Sequence, residues 1–289
     1  MTKSKLFRIL CLIPITYIVL CVLVGLFQRQ ILYFPFHKTQ AGILAKAAEL
    51  RCQPWCDAKG DVIGWTSARN GRRAANRLIL FHGNAGYALM RTQYLKGFEQ
   101  LDDGRLWDVY LFEYPGFGAR PGKLGQKSFT EAGLQAIQEL KAADPRPIYL
   151  LGESLGSGLA STLAQRRPRD VAGLFLFTPY ARMEDVAAHH FGLLPVRWML
   201  LDRWNNVAAL HDYRGPVAIL IADQDEVVTA AQGRLLFESY AGPKRLWVEP
   251  GATHNTVNFS PEAPWWRQVS DFLLSPRHVD DTPRRLSPP

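Results

Sequence analysis

The chain begins with one long apolar segment and continues with short apolar runs separated by longer amphipathic ones. Lys3, Lys5 and Arg8 precede the apolar segment 9–27, which contains no charged residue. As a helix, this segment would reach roughly the ~30 Å thickness of a bilayer's hydrocarbon core. The pattern predicts a membrane-spanning helix over residues 9–27 that follows a short basic N-terminus, residues 1–8.

Two other interpretations of this segment stay open. A cleaved signal peptide also has a basic start, but its apolar region is usually about 7–15 residues long and ends in a small-x-small site. No such site lies between Leu20 and Gln30, which favours an uncleaved signal-anchor. A buried helix of a soluble domain is the third possibility. The positive-inside rule keeps the basic N-terminus cytoplasmic and the rest of the chain extracytoplasmic, although basic residues also follow the span.

Farther along the chain, short apolar runs are each bounded by Gly, Pro, Asn or Asp, as is typical of buried strands. These runs are residues 77–81, 109–112, 148–151, 171–177, 217–221 and 245–248. Segments with helical spacing are residues 129–142 (with Ser128 or Thr130 as the N-cap), 155–166, 230–240 and 264–274. The alternation predicts an α/β fold, a mostly parallel, doubly wound sheet with helices on both faces. Residues 61–66 are expected to add an antiparallel edge strand.

The same pattern divides the rest of the chain into regions. Residues 28–60 are rich in turn-forming residues and are expected to be a linker, and residues 61–275 are expected to form one domain. Within it, residues 180–215 carry many large apolar side chains between two strands. They predict a lid-like insertion that either shapes a substrate entrance or serves packing alone. Residues 276–289 are rich in Pro and Arg without periodicity, which predicts a disordered tail.

Composition excludes several classes of protein. A chain of 289 residues with 47% hydrophobic positions and four cysteines can bury a sizeable core, and it is neither collagenous, disordered nor disulfide-dense. The formal net charge is +8. No long basic helix or aromatic–basic interleaving accompanies it, so no nucleic-acid partner is expected. The scattered basic side chains fit a domain held at an anionic membrane surface.

Neither a metal nor a cofactor is expected. Cys52 and Cys56 have a turn-compatible spacing that allows a small disulfide or two unpaired thiols. No second Cys or His pair has the spacing of metal ligands. Residues 156–161 resemble part of a dinucleotide-binding fingerprint, but the next strand ends without the carboxylate that this fingerprint requires.

The strongest signal for chemistry is the segment Gly152-Glu153-Ser154-Leu155-Gly156, which joins an apolar strand to a helical segment. A sharp strand-to-helix turn needs residues without side chains two positions before and after the serine. Such an elbow raises the serine Oγ above the sheet edge, beside a helix N-terminus that favours negative charge. Ser154 is therefore the candidate nucleophile, with Gly152 and Gly156 as the glycines of the elbow.

A serine nucleophile needs a general base, and the base needs an acid that orients it. His254 is the histidine that follows a strand late in the chain, in a Gly-Ala-Thr-His loop. Asp223 and Asp225 both follow the strand at 217–221, and either is a possible acid or a turn-forming residue. The order Ser…Asp…His is that of α/β-hydrolases.

These motifs resemble the α/β-hydrolase superfamily, and specifically its membrane-anchored BEM46/ABHD13-like branch. The matching segments are LYFP at 32–35, FHGNAG at 81–86, EYPGFG at 113–118, GESLG at 152–156, DEVV at 225–228 and GATH at 251–254. The resemblance implies Asp225 as the catalytic acid, with Asp223 in reserve. It also implies the backbone N–H groups of Asn84 and Leu155 as the oxyanion hole, although residues 82–84 also suit a purely structural tight turn. Arg120 departs from the family pattern, which has serine there, and its role is open.

The activity implied by the resemblance is that of a serine hydrolase. It would cleave an ester, thioester or amide through an acyl-enzyme, with a carboxylesterase-like or thioesterase-like reaction favoured, on a small-molecule or acylated, lipid-like substrate. A catalytically silent binding protein on the same fold is one alternative, because fold alone does not prove activity. A serine peptidase is the other. The expected location is a single-pass membrane protein with an extracytoplasmic catalytic domain.

Overall fold

The computed structural model describes residues 3–68, 73–275 and 284–286. Its helices are α1 (Lys3–Tyr33), α2 (Gln40–Glu49), α3 (Thr92–Glu99), α4 (Gln126–Ala143), α5 (Leu155–Arg166), α6 (Met183–His190), α7 (Val196–Met199), α8 (Asn206–Leu210), α9 (Ala230–Ser239) and α10 (Trp265–Leu274). Its strands are β1 (Cys52–Cys56), β2 (Val62–Ser67), β3 (Asn76–Phe81), β4 (Trp107–Phe112), β5 (Ile148–Glu153), β6 (Val171–Phe177), β7 (Val217–Ala222), β8 (Lys244–Glu249) and β9 (Arg284–Arg285).

In the described part of the chain, these strands form one mixed sheet in the order β1-β2-β4-β3-β5-β6-β7-β8-β9. β1 and β2 run antiparallel to their neighbours, and the strands from β4 to β9 are parallel. The chain passes from β3 to β4 on one side and then crosses back to β5 on the other. This reversal leaves a crevice at the carboxyl ends of β3 and β5, the place where open α/β sheets bind ligands.

Helices cover both faces of the sheet, because side chains along a buried strand alternate between two cores. In β3, Ile79 and Phe81 pack in the cluster that contains side chains of α4, α5 and α9. Leu78 and Leu80 pack in the opposite cluster, with side chains of α3 and α10. The prediction of a mostly parallel, doubly wound α/β sheet is confirmed, and each of the six predicted core strands is present.

The antiparallel part of the sheet differs from the prediction. The strand expected at 61–66 is β2, which lies between β1 and β4 and therefore is not an edge. The strand at this edge is β1, near the C-terminal end of the segment predicted to be a linker, 28–60. Its sequence, Cys-Gln-Pro-Trp-Cys, has no apolar run, and a proline inside it is tolerated because edge strands leave N–H groups unpaired.

The structure also decides one alternative that the sequence left open and corrects one local expectation. Cys52 and Cys56 lie at opposite ends of β1 and are both free. Four residue-to-residue steps of extended chain place their Cα atoms about 13 Å apart, and this distance is too long for a disulfide. Neither Ser128 nor Thr130 caps α4, because the helix begins earlier, after Gly125, whose φ of 145° favours glycine.

Most of the tail predicted to be disordered, 276–289, lies outside the described residues. Of the part that is described, β9 pairs in parallel with β8, and Leu286 is buried against the sheet.

Helix α1 is longer than the predicted span and is not isolated from the domain. Among the described residues, one helical segment, Leu12–Tyr33, is long and apolar enough to cross a membrane. At its C-terminal end, Arg29 donates two hydrogen bonds to the buried carboxylate of Asp202, at 2.9 and 3.1 Å, and the hydroxyl of Tyr33 donates a third, at 2.9 Å. Asp202 belongs to the insertion 180–215, which folds into α6, α7 and α8, so α1 is joined to that insertion.

Candidate active site

The turn between β5 and α5 holds Ser154 in a strained conformation. β5 ends at Glu153, α5 begins at Leu155, and Ser154 between them has a φ of 49°, in the left-handed region that non-glycine residues rarely adopt. A Cβ on Gly152 would lie 2.5 Å from Ser157 Cα, and a Cβ on Gly156 would overlap the carbonyl oxygen of Phe81. Both glycines are therefore required by the close approach of backbone, as the elbow motif predicts.

We expect Gly156→Ala to lower the free energy of unfolding by about 3 kcal/mol, because the methyl group forces α5 away from β3. Chemical unfolding of the full chain in detergent, followed by tryptophan fluorescence, measures this loss. Gly192→Ala is the matched control. Its added Cβ would lie 3.3 Å from the carbonyl oxygen of Ala188 in an exposed turn, and we expect a change below about 1 kcal/mol. Equal losses in the two variants would contradict the packing argument.

Three side chains from separate strand ends form a continuous hydrogen-bonded chain. Ser154 Oγ lies 3.0 Å from His254 Nε2, and His254 Nδ1 lies 2.7 Å from Asp225 Oδ2. They follow β5, β8 and β7, whose carboxyl ends meet at one edge of the sheet. The structure thus brings together the serine, histidine and aspartate named from the sequence.

Asp225, and not Asp223, is the aspartate that contacts His254. Its side chain is 1% exposed, and its Oδ1 accepts hydrogen bonds from the backbone N–H groups of Val227 and Val228, at 2.9 and 2.8 Å. These bonds fix the carboxylate so that Oδ2 faces the histidine. Asp223 is exposed, and its backbone N–H donates to Glu249.

A cavity of about 460 Å³ opens above Ser154. Asn84 and Leu155, the residues expected to supply oxyanion N–H groups, line it together with Ser154 and Tyr180. Burial raises the pKa of Tyr180, so its hydroxyl stays protonated and donates to the carbonyl oxygen of Leu155 at 3.3 Å. Among the described residues, no cluster of His, Cys, Asp and Glu side chains suits a metal ion.

The sequence interpretation missed an ion pair under the elbow. Arg91 Nε lies 2.9 and 2.8 Å from the two carboxylate oxygens of Glu153, and both side chains are largely buried. Burial alone would lower the pKa of Arg91, but the adjacent carboxylate outweighs it and raises the pKa above its ordinary value. The pair ties Glu153, the residue before Ser154, to Arg91, which lies directly before α3. The signal for this ion pair in the sequence is the charge of Glu153, which occupies a variable position of the elbow motif.

The turn that follows β3 is held from two sides. On the inner side, the hydroxyl of Tyr114 donates to the carbonyl oxygen of His82 at 2.6 Å. On the outer side, the backbone N–H of Ala85 donates to the carbonyl oxygen of Tyr33 at 3.0 Å, and that of Phe36 donates to Gly86 at 3.1 Å. Residues at and just after the end of α1 therefore support the loop that carries Asn84.

Arg120, whose role was open, lies outside the cavity above Ser154. It stacks over the ring of Phe112 at 5.0 Å and donates to the carbonyl oxygen of Glu113 at 2.5 Å. It lines a separate cavity near Asp57 and Asp61. Burial lowers its pKa to about 10, so the side chain is still a cation at neutral pH.

Comparisons with known proteins agree with this architecture. The family model described as alpha/beta hydrolase fold matches residues 76–208. An uncharacterized protein of Mycobacterium tuberculosis (strain H37Rv) is 30% identical over 242 residues, which cover 79% of this chain and 80% of that protein. The lysophosphatidylserine lipase ABHD12 of Danio rerio is 28% identical, over 77% of this chain and 64% of its own length.

Solved structures give the same result for the fold. A Pyrococcus furiosus esterase superposes with a TM-score of 0.62 at 19% identity, covering 79% of this chain and 93% of its own. A monoacylglycerol lipase of Paleococcus ferrophilus superposes with a TM-score of 0.52 at 22% identity, covering 69% and 94%. The more specific BEM46/ABHD13-like assignment stays a prediction. From its sheet, its elbow and these relatives, the chain belongs to the α/β-hydrolase superfamily.

Proposed function

We propose that this protein is a membrane-anchored serine hydrolase that cleaves acyl esters with Ser154, His254 and Asp225. The observation that carries the proposal is the unbroken hydrogen-bonded chain from Ser154 Oγ through His254 to the buried carboxylate of Asp225. A hydroxyl 3.0 Å from an imidazole nitrogen is within reach of a general base. The strained elbow also exposes this hydroxyl to a cavity large enough for a substrate.

The reaction follows from this geometry. His254 Nε2 takes the proton of Ser154 Oγ while the oxygen forms a bond to the ester carbonyl carbon, and the carbonyl π electrons move to its oxygen. The backbone N–H groups of Asn84 and Leu155 stabilise that oxyanion. When it collapses, the bond to the alcohol oxygen breaks, and His254 returns the proton to the alcohol. Water then attacks the acyl-enzyme by the same route, releases the acid and restores the serine.

The composition of the cavity wall supports an acyl substrate. Among the described residues that line the cavity, none is Asp, Glu, Lys or Arg, and most are aliphatic or aromatic. Such a wall suits a hydrocarbon chain and leaves only the carbonyl end to polar groups. Two similar proteins are named lysophosphatidylserine lipase and monoacylglycerol lipase, and both names describe esters with one acyl chain. An acyl ester is therefore favoured over a peptide.

The membrane part of the proposal rests on α1. Its segment Leu12–Tyr33 is the candidate span, with the N-terminus cytoplasmic and the catalytic domain, residues 61–275, on the other side. The insertion 180–215 forms a lid over the cavity, since α6 and α7 contribute to its wall.

A covalent probe tests this function. Incubating the purified full chain with a fluorophosphonate should give one adduct, located on Ser154 by mass spectrometry, and hydrolysis of acyl esters should be lost in parallel. If the protein is folded but forms no adduct, it is a catalytically silent binding protein instead. Cleavage restricted to aminoacyl amides, in a panel of esters, thioesters and amides, would make it a peptidase.

A further inference from the structure

One face of α1 is packed against the protein, and the other is exposed. Cys21, Val24, Gly25, Gln28 and Leu32 are half-buried, whereas the residues between them are mostly exposed. The half-buried positions recur every three or four residues, so they lie on one side of the helix. This pattern is that of a helix docked on a partner rather than of a free tether.

The partner is the lid-like insertion, and polar bonds fix the contact. Gln28 accepts a hydrogen bond from the backbone N–H of Leu201 at 2.7 Å and donates one to the carbonyl oxygen of Met199 at 3.2 Å. Eleven residues earlier in α1, the hydroxyl of Tyr17 donates to the carbonyl oxygen of Leu193 at 3.0 Å. At 1.5 Å per residue, the insertion therefore follows α1 for about 16 Å.

The insertion also carries exposed apolar side chains in the segment that contacts α1. Leu193 is 91% exposed, Trp198 is 84% exposed and Leu201 is 64% exposed. On α1, Leu26 is 70% exposed and Phe27 is 53% exposed. Large apolar patches of this kind are costly in water and are typical of surfaces in contact with a membrane. The surface is continuous with the candidate span, so its occupant is the hydrocarbon of the bilayer.

The cavity above Ser154 lies between these two elements. α1 contributes Val24, Gly25, Gln28, Ile31 and Leu32 to the cavity wall, and the insertion contributes the facing side. At Gly25 the wall has no side chain, and an added Cβ would meet only Met199 Cε, at 3.8 Å. Gly25 therefore marks a widening of the cavity between α1 and the insertion.

We propose that α1 is a wall of the acyl-binding site and that Gly25 determines the acyl length accepted. The acyl chain of a single-chain ester reaches Ser154 from the bilayer, between α1 and the insertion, with its distal carbons beside Gly25. This inference rests on the proposed hydrolase function and adds a substrate-selecting role to the helix that anchors the protein.

The acyl-length profile of Gly25→Phe tests the inference. The full chain in detergent or nanodiscs is assayed with p-nitrophenyl esters from butyrate to palmitate. We expect kcat/KM for palmitate to fall at least about tenfold, because the ring fills space worth several methylenes. The readout is the palmitate-to-butyrate ratio of kcat/KM, and the rate of fluorophosphonate labelling reports whether Ser154 is still reactive. Leu26→Phe is the matched control, since Leu26 is 70% exposed on the opposite face and its profile should not change.

Each other outcome has a separate meaning. An unchanged palmitate-to-butyrate ratio in Gly25→Phe, with normal labelling, would overturn the role of α1. If Gly25→Phe loses labelling altogether, Gly25→Ala decides, because its methyl group fits 3.8 Å from Met199. That variant must lower the ratio by about twofold or more, and an unchanged ratio overturns the inference. A wild-type protein that neither labels nor hydrolyses any ester refutes the proposed function instead.

Discussion

Ser154→Ala is expected to lower kcat for acyl ester hydrolysis by about 10⁵–10⁶ and to abolish fluorophosphonate labelling. The hydroxyl is the atom that would form the acyl-enzyme, and no other hydroxyl is hydrogen-bonded to His254 among the described residues. Residual rates of about 10³–10⁴ over water are expected, because the oxyanion donors and the cavity are unchanged. Initial rates with a short-chain ester, together with gel-based labelling, measure both effects.

Ser161→Ala is the matched control for this experiment. Ser161 lies two turns farther along α5, and its buried hydroxyl has no hydrogen-bond partner among the described residues. Removing it should leave labelling and kcat near wild type. If Ser154→Ala retained labelling, the nucleophile would be another residue and the mechanism would be wrong.

Asp225→Asn is expected to lower kcat by about 10⁴ while the fold is preserved. The two backbone N–H groups of Val227 and Val228 require an oxygen at Oδ1, so the amide of the variant must turn its NH₂ group toward His254 Nδ1. The imidazole must then accept that hydrogen bond at Nδ1 and carry its proton on Nε2. In this tautomer His254 cannot take the proton of Ser154.

Asp223→Asn separates this mechanism from a general effect of charge near the site. Both variants remove one carboxylate from the same loop, but Asp223 is exposed and only Asp225 contacts the histidine. We expect Asp223→Asn to change kcat by less than about twofold, within the usual range for a surface substitution. A larger loss in Asp223→Asn than in Asp225→Asn would transfer the role of the acid to Asp223.

The sequence predicts those parts of the fold that are determined by residues close together along the chain. The core strands are recognisable because strands buried on both faces must be apolar at every position. The elbow is recognisable because its two glycines are required by contacts within a few residues and with β3. The residues around Asp223 and Asp225 do not by themselves decide which of the two contacts the histidine. That contact depends on the position of the loop that carries His254, which is 29 residues away from Asp225.

The features that the sequence does not predict are pairings between distant segments. Arg91 and Glu153 are 62 residues apart, and Arg29 and Asp202 are 173 residues apart. Hydropathy identifies α1 as apolar but carries no information about which of its faces the insertion covers. The edge strand β1 was not predicted for a related reason. Its short, proline-containing sequence has no strand pattern of its own, and it forms a strand by pairing with β2.

If the proposed function holds, the bonds from Tyr33 and Phe36 to the turn after β3 couple membrane attachment to activity. A protease cut between the candidate span and this turn would not shed a working enzyme into the surrounding fluid. It would remove a wall of the cavity and free one side of the loop that carries Asn84. Such a cut would act as an off-switch, and a soluble version of this protein must retain the last turns of α1.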